Sequence, residues 1–327
     1  GMTDVRGLVR TARSAATFCL GVSLIANVFL ASSMLDDLNL MLMVGVIALS
    51  FAASTGSSRV IGILLFASSI ALLLYSQAPL DVWKQALREN SYLIAMFVLV
   101  PLLSIPVQHG GYGESLREVF VRYANTDSRY YALVSSMAAF VGVLISIAAV
   151  PLTYEVSRAS GCNYDEKLLA SALSRGFITC MIWAPTSATI ALVVQLTGVD
   201  WVAFFPFAIA CALIAGAVGF LMTFVRDEAV KASSDEAEAP MGKIDAGKVV
   251  ELSAFAFLLV VSVAATSQLG GLSAIVVVAM ASLVFPVAWM AAIGRLPTYA
   301  REFRGDYFNN KLPQSKNQIV LFAGAGF

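Results

Sequence analysis

Nine apolar blocks dominate the chain, at about 17–35, 38–55, 60–76, 91–107, 131–154, 177–199, 204–224, 250–268 and 272–293. About 20 apolar residues in a helix, at roughly 1.5 Å rise each, cross the hydrocarbon core of a bilayer, and each block approaches or exceeds that length. The expectation is an all-α, polytopic membrane protein with eight to nine apolar segments. Composition agrees: 59% of the 327 residues are hydrophobic and only 13% are charged, against about 25% charged in a soluble domain. The lipid bilayer is therefore the first expected partner.

Several function classes recede at once. The formal net charge is zero and no basic block occurs, so no nucleic-acid partner is expected. Cys19, Cys162, Cys180 and Cys211 show no CxxC spacing and read as small core residues. His109 is the only histidine, which argues against a histidine metal site or a catalytic triad. No cofactor is expected beyond a coupling sodium ion or proton, and the residues name no metal site.

The polar stretches divide the chain. Arg6, Arg10 and Arg13 precede the first block, which is long and is followed at once by another, so it reads as a retained span. Asp36-Asp37 form a short acidic turn. Residues 112–129 carry Leu116, Val119, Phe120 and Tyr123 at helical spacing between Arg117, Glu118 and Arg122, the pattern of a helix lying in the interface plane. Residues 226–248 have no apolar periodicity and read as a solvated linker. It separates a first transmembrane half, 1–225, from an incomplete second half, 249–327. The final apolar run, 318–327, is about half the length of a span, so the expectation is a C-terminally truncated chain.

One block is interrupted. Trp183-Ala184-Pro185-Thr186-Ser187-Ala188-Thr189 places a proline and three hydroxyls in the middle of 177–199. Proline removes a backbone donor and clashes with the preceding turn, so the helix should break near Ala184. Thr186 and Ser187 suit the cap of a restarting helix. Freed backbone groups at membrane depth must be satisfied by protein or by a water-filled cavity. The restarted helix would aim N–H groups and a partial positive charge at a bound anion.

Charge and repetition bear on topology. If 131–154 dips in and returns instead of crossing, only Lys84 and Arg88 of the 21 Lys and Arg residues fall on the outer side, as the positive-inside bias favours. The serines and flanking prolines of that segment allow a re-entrant hairpin. There is also an internal echo: Arg117, Glu118, Tyr123 and Asn125 align with Arg301, Glu302, Tyr307 and Asn309. Each copy follows a proline-bearing span and precedes an apolar run. Internal repeats are usual in transporters. Full crossing of every segment makes these repeats inverted, and a hairpin makes them parallel.

An interfacial helix, a serine-bearing hairpin, then Ser174-Arg175-Gly176-Phe177 leading into the break at Trp183-Ala184-Pro185-Thr186-Ser187-Ala188 together resemble the ion transporter superfamily. This is the group of arsenite permeases, sodium/proton antiporters, and citrate and dicarboxylate carriers. The Ser-Asn-Thr type signature of its sodium-coupled dicarboxylate members is absent. Ser135-Ser136 and Pro185-Thr186-Ser187 stand in those places without an asparagine. The resemblance implies a secondary transporter for a small anionic solute, and not an enzyme. Ser135, Ser136, Thr186, Ser187 and Thr189 are the expected substrate-binding residues. The expected location is the bacterial inner membrane, with a homo-oligomer as a candidate assembly. The competing reading is an integral membrane enzyme acting on a lipid-linked substrate. It would draw on Asp36-Asp37, His109 or Asp165-Glu166, which show no catalytic spacing.

Overall fold

The structure is a computed structural model and describes residues 2–160, 165–230 and 246–327. It is helical, with no strand among the described residues. Among the described residues, eight helical stretches are long and apolar enough to cross a membrane: Gly7–Leu30, Ser33–Ala53, Ser57–Tyr75, Leu80–His109, Asp127–Ile145, Trp201–Val225, Gly247–Gly270 and Ala274–Ala292. The expectation of an all-α polytopic membrane protein therefore holds. Most of the 226–248 linker lies outside the described residues, as does Cys162.

The chain forms two compact units, each drawing on sequence from both sides of that linker. The first takes in residues 1–102, 278–284 and 296–327. It contains α1 (Met2–Leu30), α2 (Ser33–Ala53), α3 (Ser57–Tyr75), α4 (Leu80–Arg88) and α5 (Ser91–Leu99). α1 and α2 pair as a tight hairpin through Ala31 and Ser32. The Ala31 amide closes on the Asn27 carbonyl at 2.9 Å.

The second unit takes in 103–277 and 285–295. It holds α6 (Ser104–His109), α7 (Tyr112–Tyr123), α8 (Asp127–Ile145), α9 (Ala149–Ala159), α10 (Glu166–Met181), α11 (Ala188–Thr197), α12 (Trp201–Val230) and α13 (Ala246–Gly270). α14 (Ala274–Ala292) contributes to both units. Local chemistry sets several boundaries. Thr126 caps α8 by accepting from the Arg129 amide, and Asp165 caps α10 by accepting from the Lys167 amide. Such caps satisfy N–H groups that a helix start leaves unpaired.

The remainder of the first unit is α15 (Leu296–Glu302), a π-helical stretch (Phe303–Lys311), α16 (Leu312–Gln314) and α17 (Lys316–Gly326). Tyr307, on the π-helical stretch, is fully buried and donates to the Val98 carbonyl at 2.7 Å. Small residues let helices meet closely here. A Cβ at Gly62 of α3 would fall 2.3 Å from Val320 of α17.

Candidate functional site

The candidate site lies in the second unit, where two helix interruptions meet. The first ends α8. Ser146 adopts φ 51° and ψ −129°, a conformation that few L-residues occupy. The chain then passes through a short 3-10 turn (Ser146–Ala148) and returns as α9. The return is antiparallel. A Cβ at Gly142 would lie 3.9 Å from Ala149 Cβ, and nearer the open end Tyr130 Oη and Ser157 Oγ are 2.6 Å apart. Residues 127–159 are thus a helical hairpin, with the two ends of the segment on one side. This is the arrangement that the charge balance favours.

The second interruption falls where Pro185 predicts it. α10 ends at Met181 and α11 starts at Ala188. The link is buried from Ala184 onward: Ala184 is 0%, Thr186 2% and Ser187 4% exposed. Freed backbone groups find protein partners, as burial in hydrocarbon requires. The Ser187 amide donates to the Ala184 carbonyl at 3.0 Å, and the Trp201 indole donates to the Trp183 carbonyl at 3.1 Å. Trp201 is therefore a buried clamp on the break, 1% exposed. Its ring NH is spent on a carbonyl that the proline break releases.

Thr186 joins the two interruptions. Its hydroxyl donates to the Val143 carbonyl at 2.6 Å, in the last turn of α8. That carbonyl has no helical partner because the helix ends at Ile145. Val143, Cys180 and Ala184 form the apolar floor, with Trp183 and Val260 packed against it. The close approach rests on two glycines. A Cβ at Gly176 would fall 2.3 Å from the Ser135 carbonyl oxygen, and one at Gly142 would fall 2.9 Å from Cys180 Sγ.

The five expected site residues divide. Thr186 and Ser187 sit in the buried break. Thr189 is on the first turn of α11 with its side chain exposed. Ser135 and Ser136 are not at the hairpin tip; they lie about 15 Å before it at the rise of a helix. Ser135 bonds back to the Ala132 carbonyl at 3.3 Å and lends its backbone to the contact with Gly176, and Ser136 is exposed. The tip residue is Ser146, which sequence reasoning passed over in favour of the Ser135-Ser136 doublet. Only the position of the reversal distinguishes them. Ser187 is the N-cap of α11, yet its hydroxyl does not cap. It donates to the Met181 carbonyl instead, at 3.4 Å. The first amides of α11 therefore have no side-chain cap, and they carry the positive end of the helix dipole.

A second polar group fixes the entrance to α7 in the same unit. Tyr112 donates to Glu251 at 2.6 Å and accepts from the Trp289 indole at 2.8 Å, and Lys248 pairs with Glu251 at 3.1 Å. Burial, reinforced by the hydrogen bond to Glu251, pushes the Tyr112 phenol well above its ordinary pKa. It stays a neutral donor. Two grooves of about 230 Å³ flank α9, one lined by Glu114, Arg117 and Glu155, the other by Tyr154, Arg158 and Glu166. Neither includes a residue of the break.

No cluster of three or more His, Cys, Asp or Glu side chains suited to a metal ion occurs among the described residues. Fold and site together define a polytopic α-helical membrane protein with a helical hairpin packed on a discontinuous helix. No protein-family model, no curated protein and no solved structure matches the chain.

Proposed function

We propose that the protein is a secondary transporter for a small anionic solute, of the kind found in the ion transporter superfamily, working in the bacterial inner membrane with sodium or a proton as the candidate coupling ion. The observation that carries this reading is the Thr186 bond to the Val143 carbonyl. It holds the start of α11 against the end of α8 inside an apolar unit. Discontinuous helices of this kind supply N–H groups for an anion from one half and carbonyls from the other, without an ionised side chain in the bilayer. The groups that an enzyme would draw on, Asp36-Asp37, His109 and Asp165-Glu166, lie on separate elements away from the break.

Proteoliposomes holding the full chain provide the test, with uptake of labelled dicarboxylate, citrate, phosphate and arsenite under an imposed sodium or proton gradient. Pro185→Leu is expected to restore a continuous helix and abolish uptake while membrane insertion stays unchanged. Wild-type uptake by the inserted variant would sink the assignment. Turnover of a lipid-linked substrate by the wild-type protein would favour the enzyme reading.

A further inference from the structure

In the first unit a polar cluster lies inside the α1–α2 hairpin. Asn27 Nδ2 donates to Asp36 Oδ1 at 2.7 Å, and Asn27 Oδ1 accepts from the Ser32 amide at 3.1 Å. These bonds set the register of the two antiparallel helices. One turn deeper, Ser23 precedes Asn27 by four residues and Asn39 follows Asp36 by three, so both continue the facing stripes.

There the pairing stops. Asn39 is 6% exposed, and neither its Nδ2 nor its Oδ1 has a hydrogen-bond partner. The Ser23 hydroxyl is likewise buried without one. An amide with both ends orphaned is costly in any protein interior and more so in a bilayer, where no solvent relieves it. Both side chains lie on the facing stripes of the hairpin and neither bonds to the other, so a small guest between the two helices would satisfy them. Asp36 adds a charge at its mouth. Its carboxylate accepts from Asn27, and no salt bridge involves it among the described residues. Asp37, the next residue, is exposed.

We infer that the α1–α2 hairpin binds a monovalent alkali cation between the Asp36 carboxylate, the Asn39 amide oxygen and the Ser23 hydroxyl. The donors are hard oxygens, the set that sodium and its neighbours take. One carboxylate balances a single positive charge, whereas a divalent ion would leave an excess charge at the membrane edge. A water carried by the ion accepts from Asn39 Nδ2. The site does not depend on the transport reading, because binding is measured without transport.

The test is thermal unfolding of the purified full chain in detergent, in sodium chloride against choline chloride at matched ionic strength. A ligand that binds only the folded state raises the melting temperature in a saturable way. Wild type is expected to show a sodium-specific rise. Asn39→Leu should abolish it, and Asp36→Asn should move its midpoint upward by at least about tenfold. Ser23→Ala, which removes one oxygen and little volume, should move it about threefold and serves if Asn39→Leu does not fold. An equal rise in both salts, a full sodium response in Asn39→Leu, or an unmoved midpoint in Ser23→Ala overturns the site. A calcium response at a concentration about tenfold lower than the sodium response overturns the monovalent assignment.

Discussion

The break between α10 and α11 and the α1–α2 hairpin handle buried polar groups in opposite ways. In the break, Thr186 spends its hydroxyl on the Val143 carbonyl and Trp201 spends its indole on the Trp183 carbonyl. In the hairpin, the buried Asn39 amide and Ser23 hydroxyl are unpaired. The break looks disruptive in sequence, and the carbonyls of Trp183 and Ala184 that it frees are taken up by protein donors. The α1–α2 stretch reads as two ordinary apolar spans, and it holds a buried amide with neither end paired. A proline or hydroxyl inside a membrane segment thus marks where backbone is freed. Whether a guest is needed depends on what packs against it.

The sharpest way to break this comparison is at the closest approach in the second unit. Gly176→Leu should abolish folding of that unit, and Gly176→Ala should cost about 1–3 kcal/mol, because the added Cβ must push apart two backbones. Thermal unfolding in detergent checks both. Gly176→Ala at wild-type stability would show that α8 and α10 are not locked there.

Thr186→Val comes next. It leaves the Val143 carbonyl buried and unpaired, at a cost of roughly 1–3 kcal/mol, and Thr186→Ser should recover most of it. Asn39→Leu should have the opposite sign. In choline chloride it removes an orphaned amide and should stabilise by about 1–2 kcal/mol. If Thr186→Val and Asn39→Leu shift the melting temperature in the same direction under those conditions, the contrast between the two regions fails.

The smallest expected effect is a control. Tyr307→Phe removes a paired hydroxyl from the first unit and should cost about 1 kcal/mol. A gain instead would mean that polar groups in that unit are generally unneeded, and Asn39 would lose its special standing.

The internal echo shows how far sequence likeness reaches. Arg117, Glu118 and Tyr123 lie on the regular helix α7 and Asn125 in the turn after it, whereas Arg301, Glu302, Tyr307 and Asn309 run from α15 into the π-helical stretch. Tyr123 is 49% exposed with Arg122 over its ring, and Tyr307 is buried at 0%. Four shared residues gave a shared position after a proline-bearing span, and not a shared environment. A π-helical turn takes up extra residues and rotates every later side chain to a new face.

Much of the fold was legible because its cause is local. Apolar length predicts a span whatever surrounds it, and Pro185 predicts a break from its missing N–H and its ring. Thr186 and Ser187 could be named as residues of that break for the same reason. Ser135, Ser146 and Trp201 could not be placed in this way. The reversal point of the hairpin depends on where α9 packs back onto α8, and the role of Trp201 depends on which carbonyl comes within reach.

By itself the sequence determined the membrane class, the helical segments and the site of the proline break, all consequences of hydrophobicity and backbone chemistry over neighbouring residues. Only the tertiary structure decided that 127–159 turns back, that Thr186 closes onto Val143 and that Asn39 is left open. Those outcomes depend on contacts between residues far apart in the chain. Whether a buried polar group has a partner is a property of what lies beside it in space, and no local pattern encodes that.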